Sequence, residues 1–353
     1  MKAYQLWNIG ELRQVEIDKP SLQPGWVLVQ VKAAGICSSD IPRIFETGTY
    51  HFPTIPGHEF SGVVVETADP NQQELVGKRV GVFPLIPCRT CSACREKHYE
   101  MCEHYDYLGS RRDGGFAEYA AVPVWNLIPL PDSVSYRSAA MLEPFSVALH
   151  AVRQGKIGQG DTVAVIGSGM IGFAAAQWAK KMGAKEVCVI GQSAGKKKIA
   201  DQIPGISYLV KNGNEELPCF DCVIEAVGSE RAVETALAIA NPGGHIVLMG
   251  NPKSDIRLPK ALYWRILRKQ LHVTGTWNSS YEKDAPCDWS RAMEALSSGE
   301  LEAEGLISHC YQAEQLTDGL ELMRTHREPY CKVMIEWKQE EKEVSKPREK
   351  RKD

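Results

Sequence analysis

The 353-residue sequence contains no apolar run approaching the roughly 20 residues that a membrane-spanning helix needs. It also lacks a strong charge of either sign: 41 basic and 44 acidic side chains leave a net charge of -3. That balance gives no reason to expect nucleic acid or an anionic membrane as a partner. The N-terminus shows no basic-then-apolar signal pattern, so a cytoplasmic location is expected. No internal repeat is visible. Apolar content of 43% and charged content of 24% are those of a globular chain, and the length suits two cores rather than one.

Cysteine, by contrast, is plentiful, with eleven in the chain. An odd total without an export signal argues against a disulfide framework. Five of the eleven read as metal ligands; Cys188, Cys219, Cys222, Cys287, Cys310 and Cys331 are scattered. Cys88-x2-Cys91-x2-Cys94-x7-Cys102 places four thiols within fifteen residues, so one loop can wrap a tetrahedral ion. Four thiolates around one ion is the geometry of closed, structural zinc. His98 and His104 share that loop and read as surface residues. Cys219 and Cys222 have half-site spacing, but Cys222 lies in an apolar strand where cysteine acts as a small hydrophobe.

Up to about residue 150 the sequence shows short apolar runs broken by Gly and Pro, such as 27–31, 62–65 and 80–83, which read as strands. From there strands alternate with helical segments: a strand over 162–166, a helix over 170–182 and a strand over 186–190. Further strands are expected at 222–225, 245–249 and 271–274. This alternation marks βαβ units and a parallel sheet, so the fold class is α/β with a mainly β first part. After about residue 285 a mixed segment carries a helix over 313–324 and a strand over 331–337. The last sixteen residues hold twelve charges of mixed sign and read as a disordered tail.

Gly167-Ser168-Gly169-Met170-Ile171-Gly172 follows a buried strand and opens a helix, the context that gives a G-x-G-x-x-G string meaning. Gly167 permits the turn, Gly169 admits a pyrophosphate, and Gly172 lets helix meet strand. The helix start, Met170 and Ile171, offers free N–H groups to the phosphates. At the end of the next strand, Gly191-Gln192-Ser193 stands where an acidic residue would bind a ribose 2′-hydroxyl. Lysines 196–198 follow, with Lys197 the expected phosphate partner, so NADP(H) is favoured over NAD(H). The alternative is that these lysines form a solvated helix face.

Cys37, the pair His58-Glu59 and Glu143 form a dispersed set of one thiol, one imidazole and two carboxylates. Spacing alone does not unite them, since a lone Cys or His is usually structural. With these residues in view, the chain resembles the zinc-containing medium-chain dehydrogenases, and within them the polyol branch, most of all the galactitol-phosphate dehydrogenases. The resemblance spans residues 1–337 and is carried by Pro42-Arg43-Ile44-Phe45, Gly57-His58-Glu59-Phe60-Ser61-Gly62, the four-cysteine lobe, residues 109–119, and Glu143-Pro144 with Leu149-His150-Ala151.

The resemblance implies a GroES-like catalytic domain over 1–150, to which 286–337 returns, flanking a Rossmann domain over 151–285. It implies two zinc ions, one structural and one catalytic, the latter held by Cys37, His58 and Glu143. Glu59 would lie close, ligating directly or through water, and Ser39 would take the place of a proton-relay hydroxyl. Where many relatives end that relay in a histidine, this chain has Pro42. An even-numbered homo-oligomer, a dimer or tetramer, is implied as well. The expected reaction is hydride transfer between a nicotinamide and a secondary alcohol or ketone, with zinc as Lewis acid.

For substrate, the resemblance points to a sugar alcohol or its phosphate. Arg111, Arg112 and Arg43 could bind a phosphate, or Arg111 and Arg112 could make structural bridges to Asp106 or Asp113. The structural use is preferred for Arg43. Tyr50 and Trp277 could shape the pocket or belong to the core. The competing readings are a dehydrogenase of an unphosphorylated polyol or secondary alcohol and, from another class, a zinc module for binding protein or nucleic acid. The lobe lacks the interleaved basic and aromatic surface that the last would need.

Overall fold

The computed structural model describes residues 1–213 and 216–337. The charged tail expected over 338–353 lies outside the described residues. Two sheets organise the chain. The first part contributes strands Trp26–Ile36, Glu59–Thr67, Arg79–Val82, Tyr119–Pro123 and Leu127–Pro129. Two late strands, Ile307–Gln312 and Lys332–Glu336, join this same sheet by pairing alongside Trp26–Ile36. Its long strand Trp26–Ile36 is buried at most positions because Val27, Val29, Val31, Ala34 and Ile36 fill the space beneath the sheet.

The second sheet has six parallel strands in the order Ile206–Val210, Glu186–Gly191, Thr162–Ile166, Phe220–Glu225, Ala240–Leu248, His272–Gly275. Chain order reverses beside Thr162–Ile166, which creates the crevice where α/β sheets bind ligands. The strands read from alternation agree with those observed to within a few residues at each end, the largest extension being Ala240–Leu248. Among the described residues, four helices of ten residues or more carry no expectation from sequence: Leu142–Gln154, Glu230–Ile239, Lys260–Lys269 and Asp288–Ser297. The helix expected over 313–324 begins as a 3-10 turn, Ala313–Gln315, and continues as Leu316–Thr325.

Leu142–Gln154 connects the two sheets. It packs against Met170–Lys181 on one side and Asp288–Ser297 on the other. Wholly buried Trp178 donates its indole N–H to the Phe145 carbonyl at 2.9 Å, so the largest side chain of the contact is also polar-satisfied. At its far end Arg153 and His150 reach buried Asp288, at 2.5 and 2.8 Å, and Ser280 donates to the same carboxylate. The helix is thereby fixed at both ends, and its first turn holds Glu143.

Candidate active site

The strand Trp26–Ile36 ends one residue before Cys37, and Glu59–Thr67 begins one residue after His58. Because these strands are antiparallel neighbours, with Gly35 opposite Glu59, both chain ends arrive at one point. Ligand atoms of Cys37, His58 and Glu59 lie within 4.8 Å of one another. Zinc bonds of about 2.0–2.3 Å set ligand atoms less than about 4 Å apart, so a small inward movement closes the trio on an ion. The set of one thiol, one imidazole and one carboxylate suits zinc and leaves a fourth position.

Asp40, fully buried, organises this corner. Its carboxylate accepts from Cys37 N at 3.0 Å and from Arg43 Nη1 at 3.0 Å, and faces His58 Nδ1 at 3.4 Å. An acid behind an imidazole fixes the ring and leaves Nε2 for an ion. Burial disfavours a charged His58, yet Asp40 and Cys37 overcome it and raise the imidazole well above its ordinary value. A pocket that attracts a proton this way attracts a cation. Ser39 Oγ donates to Cys37 Sγ at 3.3 Å, which places the hydroxyl at the edge of the trio.

The two carboxylates stand in different positions. Glu59, not Glu143, completes the close trio with Cys37 and His58. Glu143 Oε1 instead accepts from Tyr107 OH at 3.2 Å, and the Tyr107 ring stands 5.6 Å from that of His58. Desolvation pushes the Glu143 carboxyl up to about 7, with Glu59 adding to the rise and His58 and Lys332 opposing it. Tyr107 is raised too, by burial first and then by Glu143.

Three groups here escaped sequence reading. Lys332, almost wholly buried, forms an ion pair with Glu59 and donates to the Ile36 carbonyl at 3.2 Å. The signal was a lone Lys in the apolar strand 331–337, where a buried charge requires a partner. Asp40 and Tyr107 gave no comparable signal, because their partners are brought up from other parts of the chain.

The four-cysteine lobe forms as its spacing suggests. All four Sγ atoms lie within 4.8 Å of one another, with Cys88 and Cys94 at 3.9 Å and Cys91 and Cys102 at 4.0 Å. Tetrahedral Zn–S bonds of about 2.3 Å require sulfurs near 3.8 Å apart, which these distances approach. Burial raises the Cys94 thiol to about 12 and Cys102 in the same direction, while Thr90 lowers Cys88 to about 5. A bound cation is what would let all four ionise together. His98 and His104 are exposed, and Cys222 is buried with its thiol raised to about 12 by desolvation.

At the crevice of the parallel sheet, Gly167 adopts φ +116°, and a side chain on Gly172 would strike the Gly167 carbonyl. Gly169 caps the helix Met170–Lys181 and faces open space. A cleft of about 550 Å³ is lined here by Gly167, Ser168, Gln192 and Ser193, with Tyr330 from the late segment. Lys197 does not line it: this lysine pairs with Asp201 at 2.7 Å on the surface. Lys196 takes the position expected of Lys197, donating to the Ser168 carbonyl at 3.0 Å and lying over the Tyr330 ring. Sequence reading placed the lysine one residue too late, because it did not fix the turn of Ala194–Lys196.

The arginines also separate. Arg112 bonds Asp106 at 2.7 Å, the structural alternative. Arg43 serves Asp40, as preferred from sequence. Arg111 has neither aspartate; its guanidinium lies over the rings of Tyr50 and Tyr105, at 4.1 and 4.5 Å. Tyr50 and Trp277 are both more than half exposed, so neither is a core aromatic.

With this geometry in place, comparison with known proteins is decisive about the family. Residues 23–132 match the family described as alcohol dehydrogenase GroES-like domain, and residues 171–298 match zinc-binding dehydrogenase. The chain is 35% identical over 294 residues to galactitol 1-phosphate 5-dehydrogenase of Escherichia coli K12, covering 80% of this chain and 84% of the relative. The chain is a zinc-containing medium-chain dehydrogenase. It is 30% identical to sorbitol dehydrogenase of Bacillus subtilis, over 95% of this chain and 97% of that one. The crystal structure of galactitol-1-phosphate dehydrogenase from Escherichia coli superposes with a TM-score of 0.85 at 33% identity, covering 95% of this chain and 99% of the other. An alcohol dehydrogenase of Escherichia coli CFT073 complexed with NADH (27%, TM-score 0.86, 95% and 99% covered) is similar in structure. So is a zinc-binding dehydrogenase of Sinorhizobium meliloti bound to NADP (27%, TM-score 0.83, 95% and 98% covered). This medium-chain dehydrogenase is therefore an alcohol or polyol dehydrogenase that uses zinc and a nicotinamide cofactor, and its GroES-like part and parallel-sheet part are those of the family. No described helix is long and apolar enough to cross a membrane.

Proposed function

We propose that this enzyme oxidises the secondary alcohol of a sugar alcohol phosphate, or reduces the matching ketose phosphate, with two zinc ions per chain. The observation that carries the substrate reading is Arg111, a cation linked to His58 through the rings of Tyr105 and Tyr107, with no carboxylate paired to it among the described residues. The similarity to galactitol 1-phosphate 5-dehydrogenase supports the same reading. The similarity to sorbitol dehydrogenase favours the second reading, an unphosphorylated polyol.

In this account Cys37, His58 and Glu59 hold the catalytic ion, and Cys88, Cys91, Cys94 and Cys102 hold the structural one. When bound, zinc supplies Lewis acidity toward a substrate oxygen, and the nicotinamide supplies the hydride acceptor or donor. The chain does the rest. Asp40 orients His58, and Lys332 balances the charge of Glu59 in a buried setting. Ser39 Oγ, beside Cys37, accepts the hydroxyl proton of the substrate and passes it to solvent, since Pro42 ends the usual route. Tyr107 and Glu143 form the opposite wall and fix the sugar hydroxyls next to the reacting carbon.

The catalytic domain comprises 1–150 and 286–337, and the nucleotide domain 151–285. NADP(H) is the favoured cofactor: the cleft presents Gln192 and Ser193 where a carboxylate would repel a 2′-phosphate, and Lys196 stands beside them. The chain works as a homodimer in the cytoplasm. Exposed Tyr263, Trp264, Leu267 and Val273, on and next to the edge strand His272–Gly275, supply the apolar contact.

The test is turnover by purified, zinc-loaded enzyme of galactitol phosphate, pentitol phosphates, ketose phosphates and free polyols, each with NAD(H) and NADP(H). Turnover confined to phosphorylated substrates with NADP(H) is expected. Turnover of free polyols alone would move the enzyme to the second reading.

A further inference from the structure

We propose that Arg111, held by Tyr50 and Tyr105, selects substrates by an anionic tail, a phosphate monoester or a carboxylate, remote from the reacting carbon. The inference rests on the dehydrogenase reading above and assigns substrate discrimination to one side chain. Arg111 shares a turn with Tyr107, whose ring stands 5.6 Å from that of His58 at the metal corner. The Tyr107 carbonyl accepts from the backbone N–H of Arg111 at 2.9 Å and of Arg112 at 3.1 Å, while Tyr107 OH donates to Glu143. Tyr105 stands between, its ring 6.1 Å from Tyr107 and 4.5 Å from the Arg111 guanidinium. The cation is thus one aromatic ring beyond the wall of the site, where the far end of a substrate bound at Cys37, His58 and Glu59 would arrive.

Three observations distinguish Arg111 from its neighbours. Arg112 and Arg43 are each paired with an aspartate, and Arg111 is paired with none among the described residues. Its Nε is buried and has no hydrogen-bond partner among the described residues. A buried donor left unpaired disfavours the unliganded site, and an arriving anion recovers that loss. Finally, rings at 4.1 and 4.5 Å hold the guanidinium in place, which lowers the entropy lost when its fork meets two oxygens. The forked N–H pattern matches the paired oxygens of phosphate and carboxylate alike, and a neutral polyol offers nothing of that charge.

The experiment compares kcat/KM of zinc-loaded wild type, Arg111→Gln, Arg111→Lys and Tyr50→Leu on a polyol phosphate, a sugar acid and a free polyol. Zinc content and melting temperature are measured for each variant. Arg111→Gln is expected to lose roughly 100-fold on the anionic substrate, mainly through KM, and no more than about threefold on the neutral one. Guanidinium ion added to the assay is expected to restore part of the loss. Tyr50 is 69% exposed, so Tyr50→Leu should fold normally and lose several-fold on the anionic substrate alone. Equal losses on charged and neutral substrates, with zinc and melting intact, would overturn the inference and leave the dehydrogenase reading standing. If Arg111→Gln does not fold, an unchanged charged-to-neutral ratio in Tyr50→Leu and Arg111→Lys would overturn it equally. A wild type that turns over the sugar acid but not the phosphate, with loss in Arg111→Gln, upholds the role of Arg111 and ends the phosphate reading. A wild type that prefers free polyols ends both.

Discussion

The two clusters of metal-ligand residues in this chain are built on opposite principles. The cysteine lobe takes four identical soft donors from one loop, Cys88 to Cys102, with no carboxylate or imidazole among them. The other cluster draws Cys37, His58 and Glu59 from two strand ends and surrounds them with Asp40, Lys332, Tyr107 and Glu143. A saturated, uniform set binds an ion and leaves it nothing to react with. A mixed, unsaturated set bordered by buried charges leaves a position for substrate and groups that hold it. In the function proposed above, the first arrangement would stabilise the fold and the second would sustain turnover.

The largest effects should break the two clusters apart by their consequences. Cys37→Ala is expected to lower kcat/KM by at least about 10³-fold while shifting the melting temperature little. Cys94→Ala is expected to do the reverse. Loss of a structural metal belongs to the severe class of substitutions, at about 4 kcal/mol or more, while the molecules that remain folded keep activity within a few-fold. Calorimetry together with turnover per folded molecule distinguishes the two, and similar profiles for both variants would remove the distinction.

Next in size is Lys332, which has no counterpart in the lobe. Burial disfavours its charge, but Glu59 overcomes this and raises the Lys332 amine above its ordinary value. Lys332→Met strands the Glu59 carboxylate in the interior and should cost about 3–5 kcal/mol in zinc-free protein. Zinc loading should recover part of that, since the ion supplies the missing positive charge. Chemical denaturation with and without zinc measures the difference, and equal losses in both states would show that Glu59 does not face the ion.

The contrast also explains how much was legible beforehand. The lobe was readable because its ligands are local: the spacing of Cys88, Cys91, Cys94 and Cys102 is itself the geometry. The turn Gly167 to Gly172 was readable for the same reason, and the alternating strands from Thr162 onward gave the parallel sheet. The dispersed cluster was gathered from sequence only through family resemblance, which brought in Glu143 ahead of Glu59. The register that sets Gly35 opposite Glu59 brings Glu59 beside Cys37 and His58, and pairing register is a tertiary property. Lys196 and Lys197 show the same limit on a smaller scale. Adjacent helical residues point about 100° apart, so a one-residue uncertainty moves the charge from cleft to solvent.

A smaller effect is expected at Tyr107. Tyr107→Phe removes the donor to Glu143 and keeps the ring against His58. A loss of about tenfold in kcat, with zinc content unchanged, corresponds to about 1.4 kcal/mol, a typical single hydrogen bond. A loss of zinc instead would place Tyr107 in support of the metal rather than the substrate.

The smallest effect concerns Asp288, a buried acid served by protein groups alone. Burial by itself would raise its carboxyl, but hydrogen bonds from His150 and Ser280 hold it below the ordinary value. Its folded-state pKa is therefore depressed, so its contribution to stability is present above about pH 4 and is lost as pH falls through the folded value. Asp288→Asn should flatten the fall in stability below about pH 4 relative to wild type. Parallel acid-unfolding curves for the two proteins would contradict this.

The most direct test of the two-cluster account is the zinc content of wild type, Cys37→Ala and Cys94→Ala, measured by mass spectrometry of the metal alongside turnover. The account predicts two zinc ions per wild-type chain and one in each variant, with turnover abolished only in Cys37→Ala. A wild type holding a single zinc, or a Cys37→Ala enzyme that still turns over its substrate, would contradict it.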